Sequence, residues 1–103
     1  MIPILFHPDA EAELDNSIGF YEERQPGLGL DFQREVIDGI SKIHDAPTCW
    51  PKHKYGTRKF FLPRFPFYIY YIDLPDYIWI VAVAHCSRNP NYWKDRLKGD
   101  PGG

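Results

Sequence analysis

Only two cysteines, Cys49 and Cys86, occur among the 103 residues, and their spacing fits neither a zinc site nor a dithiol motif. A disulfide framework needs more of them, so both are expected to be reduced. No apolar run approaches the roughly 18 residues of a membrane helix. The opening stretch MIPILFHPDAEAEL also lacks the basic start and small-residue cleavage site of a secretory signal. These absences predict a cytoplasmic protein with no membrane partner. The four histidines, His7, His44, His53 and His85, form no HExxH pattern, and no glycine-rich nucleotide loop is present. Cys86 and Arg88 lie too close together for a cysteine-phosphatase loop, which needs several backbone N–H groups between nucleophile and arginine. No metal or other cofactor is therefore expected, and there is no internal repeat or low-complexity segment.

What is present describes one compact domain. The chain has room for a single core, and 44% hydrophobic with 25% charged residues is a globular composition. The net charge of −2 conceals a division: residues 1–45 carry ten acids and three bases, residues 46–103 four acids and nine bases. A basic half suggests an anionic contact, although the acidic half is explained by solvated helix surfaces alone.

The periodicities give the elements. IPILF is a strand-length apolar run, and Pro8 suits the first turn of a helix because its missing N–H is not needed there. Ala10, Leu14, Ile18 and Tyr21 recur at helical spacing until QPGLG interrupts them. Leu28, Phe32, Val36, Ile40 and Ile43 form a second stripe, so two antiparallel helices are expected. After the loop APTCWPKHKYG the rhythm becomes that of strands: TRKFFL, FYIYYID and YIWIVAVAHC, joined by short links as an antiparallel meander.

Strict alternation in the last strand would place Ile78, Ile80, Ala82 and Ala84 on one face and Trp79, Val81, Val83 and His85 on the other. Both faces are apolar, which predicts a central strand covered by helices on one side and by the tail or a partner on the other. Residues 90–97 read as a final short helix with Pro90 in its first turn. The expected fold is α+β, in the order β-α-α-β-β-β with a short C-terminal helix. A helical hairpin packs on a small, mainly antiparallel sheet. Residues 1–98 form the domain and 99–103 a flexible tail.

With that order, the segments FHPDAEAEL, YEERQPGLGLDF, RFPFYIYY and AVAHCSRNPNYWKDR resemble the RelE/ParE toxin family over nearly the whole chain. The resemblance implies the toxin of a bacterial type II toxin–antitoxin, or plasmid stabilisation, system. It also implies a cognate antitoxin that folds onto the toxin's apolar grooves and neutralises it. The motifs FPF.I.Y and AVAH..R.P.YW..R look closer to the ParE branch, which implies inhibition of DNA gyrase. The other branch implies a ribosome-dependent mRNA endonuclease, with ribosome and mRNA as partners.

Cleavage of RNA through its own 2′-hydroxyl needs a base, a cation for the developing phosphate charge and an acid for the leaving oxygen. His85, Arg88 and Tyr92 are the candidates for that chemistry, with Arg58 or Arg64 as charge donors. Two positions where the nucleases carry basic residues are, by resemblance, Tyr68 and the neighbourhood of Cys86 here, so the match lapses where cleavage most needs charge. For a binding toxin the candidate contacts are Arg58, Arg64, Arg88, Lys94, Arg96 and Lys98. Each has a plainer reading. His85 can be a hydrogen-bonded structural histidine, and Arg88 can pair with a carboxylate. Trp93 and Leu97 can pack on the sheet while the lysines face water. A toxin relic that only binds antitoxin is the third possibility.

Overall fold

The structure, a computed structural model, describes residues 2–99. Strand β1 (Ile4–Phe6) leads into helix α1 (Pro8–Arg24), then helix α2 (Leu28–Asp45), and strands β2 (Arg58–Phe61), β3 (Phe67–Asp73) and β4 (Ile78–His85) complete the sheet. The sheet order is β1-β4-β3-β2, with β1 parallel to β4 and the other pairs antiparallel. The expected α+β architecture and central last strand are both present. Of the expected tail, residues 100–103 lie outside the described residues.

Local chemistry sets the helix boundaries. His7 caps α1, its Nδ1 accepting the Asp9 N–H at 3.0 Å, and Pro8 occupies the first turn. Gly27, at φ 90°, turns the chain into α2 but has no side chain with which to cap it. Glu22 of α1 takes that part: its carboxylate accepts the N–H groups of Gly27 and Gly29 at 3.0 to 3.1 Å, where the helix dipole favours negative charge.

The two helices approach tightly at Gly29. A Cβ there would lie 2.6 Å from the Ile18 carbonyl oxygen and 2.9 Å from Glu22 Cβ. Gly29→Ala should therefore destabilise the fold, because an overpacking cost of about 1–3 kcal/mol outweighs the roughly 1 kcal/mol that alanine gains over glycine in helix propensity. Urea denaturation measures the difference, and an unchanged or raised midpoint would contradict the close approach.

Two apolar layers enclose the sheet. On the helix side Ala10, Phe32, Val36 and Ile43 meet Phe60, Leu62, Ile69, Tyr71, Ile78 and Ile80. On the far side Tyr70, Trp79, Val81, Ala82 and Ala84 are covered by Trp93, which is fully buried. The tail, then, is what covers the second face of β4. Leu97 packs against the same layer while Lys94 and Lys98 stay exposed.

Two expectations need correction. Tyr70 pairs with Ala82 but Tyr71 with Ile80, which leaves Val81 as the extra residue of a β-bulge. The bulge shifts the alternation by one, so Val81, Ala82 and Ala84 share the tail side while Val83 packs on the helix side. His85 goes with Val83 rather than with Trp79 and Val81, its ring edge-on to Phe67 at 5.3 Å. The expected short C-terminal helix is present, but as a 3-10 helix over Lys94–Lys98 preceded by turns from Asn89 rather than over 90–97, held by i to i+3 bonds such as Arg96 N–H to Trp93 O at 2.9 Å. So short a segment follows the docking of Trp93 rather than helix propensity.

Candidate functional site

Strand β1 is shorter than β4 and pairs only as far as Ile80, whose carbonyl accepts the His7 N–H at 2.9 Å. Beyond Ile80, with the bulge at Val81, the β4 edge still presents backbone groups that must be satisfied. Side chains do this. Glu13 Oε1 accepts the Val83 N–H at 3.1 Å, and Arg96 Nη1 donates to the Val81 carbonyl at 2.9 Å.

The same two side chains bind each other. Arg96 Nη1 and Nη2 donate to Glu13 Oε1 and Oε2, both at 2.9 Å, a two-pronged match of guanidinium and carboxylate. The Tyr92 hydroxyl donates to Glu13 Oε2 at 2.5 Å, and Arg96 Nε lies 3.8 Å from Asp9 Oδ2. The Glu13 and Arg96 side chains are only 16% and 15% exposed, so the network ties α1, the bulged edge of β4 and the tail together largely out of solvent.

Burial works to raise the Glu13 carboxyl. Hydrogen bonds from Arg96, Tyr92 and the Val83 N–H, with the Arg96 charge, outweigh it and hold the group below its ordinary range. Burial is also the largest influence on Tyr92; donation to Glu13 adds to it, and the phenol is pushed well above its ordinary value. For Arg96, burial opposes the charge, but Glu13 more than restores it.

The sign of the pH effect follows. Because folded Glu13 titrates below its unfolded value of about 4.3, its contribution is complete above that pH and is lost as pH falls through the folded value. The urea midpoint of the wild type should drop from pH 5 to pH 3 more steeply than that of Glu13→Gln. Parallel profiles would show that the carboxylate contributes no such stability.

The structure brings His85, Arg88 and Tyr92 together beside Glu13. The Arg88 guanidinium lies over the Tyr92 ring, 3.8 Å from its centre. His85 Nδ1 accepts the Ser87 N–H at 3.0 Å and is 2.7 Å from Ser87 Oγ. His85 and Arg88 share a cavity of about 200 Å³ with Glu13 and Asn16.

The other sequence candidates are dispersed. Arg58 donates to the Trp50 carbonyl at 2.8 Å and lines a separate cavity of about 300 Å³ with Lys52, His53 and Asp73, at the opposite end of the sheet from His85. Arg64 lies 3.5 Å from Glu35, and Lys98 the same distance from Asp95. Lys94 is exposed.

Sequence reasoning misses Glu13, the centre of the network, because in the sequence it resembles the other acids of α1. A signal existed: Glu13 is three residues after Ala10 and next to Leu14, on the border of the apolar stripe.

No helix of the described residues is long and apolar enough to cross a membrane, and they contain no group of three or more His, Cys, Asp or Glu side chains placed to share a metal ion.

The family model of the ParE toxin of the type II toxin–antitoxin system, parDE, matches residues 4–90. The match runs from β1 past the end of β4, including Glu13, His85 and Arg88, and stops before Tyr92. A solved chain from the chromosomal ParDE toxin–antitoxin system of P. aeruginosa is 19% identical, with a TM-score of 0.73 over 82% of this chain and 96% of that one. At that identity the likeness concerns the fold. No curated relative matches by sequence. With the family model spanning both helices and all four strands, the chain belongs to the ParE toxin family of type II toxin–antitoxin systems, and its partner is an antitoxin.

Proposed function

We propose that the chain is a binding toxin that inhibits DNA gyrase in the cytoplasm and stabilises the replicon that encodes it. The observation that carries a binding role over cleavage is the Glu13 network. Tyr92 gives its proton to a hydrogen bond with Glu13, and Arg96 is committed to Glu13 and Val81. An acid and a cation of the kind that RNA cleavage needs are thereby in structural use. Arg58 also spends a donor internally. Of the six candidate contacts, Arg64, Arg88, Lys94 and Lys98 are the exposed ones that we assign to the target.

The antitoxin is proposed to grip the helical hairpin, where Leu30 and Ile37, two turns apart on α2, and Phe20 on α1 are 48%, 57% and 51% exposed. Coupled folding of an antitoxin segment needs apolar footholds of this kind.

The second reading, a ribosome-dependent mRNA endonuclease, is favoured by one observation: His85 and Arg88 line a common cavity. Inducing the chain without its antitoxin, while following growth, an SOS reporter and transcript ends, separates the readings. Arrest with SOS induction and intact transcripts supports gyrase inhibition. Arrest with cut transcripts, abolished by His85→Ala or Arg88→Ala, supports the nuclease. Continued growth would point to a relic that only binds antitoxin.

A further inference from the structure

Across the tail side of the sheet runs a ladder of rings whose two ends are open to solvent. Phe61 of β2 stands directly opposite Tyr68 of β3, with ring centres 5.1 Å apart. Tyr68 lies 5.8 Å from Tyr70, Tyr70 lies 4.9 Å from Trp93, and Trp93 meets Tyr55 edge-on at 6.2 Å. The middle rungs are core, Tyr70 being 4% exposed and Trp93 fully buried. The end rungs are not: Phe61 and Tyr55 are each 52% exposed, and Tyr68 is half-buried.

Cations accompany both open ends. Lys59 Nζ sits 5.1 Å from the centre of the Tyr68 ring and makes no ion pair among the described residues. Tyr55 borders an open groove of about 510 Å³ with Lys94, Lys98 and Leu97, whose one acid, Asp95, is paired with Lys98. Tyr55 itself has left-handed backbone angles, φ 63° and ψ 31°, which cost a bulky residue about 1–2 kcal/mol. With that backbone the Tyr55 ring stands at the groove edge, half-exposed and touching Trp93 edge-on.

Exposed aromatic faces with lysines alongside match the chemistry of unpaired nucleotides: bases stack on the rings, and phosphates meet the ammonium groups. A duplex hides its base faces and would gain only the charge contacts. We propose that this ladder is a binding track for single-stranded DNA, with one stacking station at Phe61 and Tyr68 and a second at Tyr55. The choice of DNA over RNA rests on the gyrase reading; the stacking geometry does not.

The test uses the purified chain and a fluorescein-labelled 12-mer of deoxythymidylate, followed by anisotropy at low salt, with no gyrase present. Failure here is thus distinguishable from failure to inhibit gyrase. The wild type should bind the single strand at least tenfold more tightly than a 12-mer duplex. Phe61→Leu with Tyr68→Leu, which keeps apolar bulk but removes both π faces, should weaken binding tenfold or more with the fold intact by circular dichroism. Tyr55→Ser, at a site already half-exposed, should weaken it independently. No binding by the wild type, equal binding to duplex, or a leucine variant indistinguishable from the wild type would each overturn the proposal. Tighter binding of a uridylate 12-mer would overturn the assignment to DNA.

Discussion

Glu13→Ala is expected to destabilise the protein by about 3–5 kcal/mol, the cost typical of removing one partner from a buried ion pair. Against the 5–15 kcal/mol that ordinarily holds a domain together, that is a fifth or more of the total. Two penalties combine. The Arg96 guanidinium, 15% exposed, loses both carboxylate contacts, and the Val83 N–H on the bulged edge of β4 loses its acceptor. The Tyr92 hydroxyl also loses the oxygen that accepts its hydrogen bond. Chemical denaturation measures the loss, and a double-mutant cycle with Arg96→Ala identifies its source. Once Glu13 is gone, removing Arg96 should cost far less than it does in the wild type. Additive effects would mean that the pair does not act as a unit.

Trp93→Ala is expected to cost a similar 3–5 kcal/mol, because it empties a fully buried site on the far side of the sheet. It would also free the segment that follows, since Leu97 and the Arg96 contacts depend on the chain staying docked there. Trp93→Phe is the informative comparison. The indole Nε1 is buried with no hydrogen-bond partner, so phenylalanine removes an unsatisfied donor along with some packing volume. Phenylalanine should retain most of the stability that alanine loses. If both substitutions were tolerated equally, Trp93 would not be the anchor of the tail. The large loss expected for alanine also makes it a poor probe of toxicity, because a poorly folded toxin and an inactive one give the same growth phenotype.

Much of this architecture is legible in the sequence because it follows from repeated burial at fixed spacing. The stripe of Leu28, Phe32, Val36, Ile40 and Ile43 becomes the inner face of α2, and the apolar character of both faces of β4 announces its central place. A bulge is harder to see. Val81 is the extra residue, yet IWIVAVAH contains no glycine or proline to mark it, and the parity of every position after it depends on pairing with β3. That shift moves Val83 and His85 to the helix side, where Val83 can meet Glu13 and His85 can share its cavity.

The candidate site was legible in its residue types and less so in their partners. His85, Arg88 and Tyr92 do gather at the end of β4. The groups that decide how they are used come from α1, more than seventy residues earlier in the chain for Tyr92 and Arg96. A single carboxylate on the border of an apolar stripe looks like any other surface acid until the fold brings an arginine to it. Similarly, Arg58 and Arg64 belong to the same basic half as the tail, but strand direction places Arg58 at the far end of the sheet from His85.

Supercoiling of relaxed plasmid by purified gyrase, with increasing amounts of the purified chain, tests the central claim most directly. Loss of supercoiling with accumulation of cleaved plasmid, reversed by the cognate antitoxin, is the predicted result. Undisturbed supercoiling at a large excess of well-folded chain, alongside cleavage of mRNA on translating ribosomes, would contradict it.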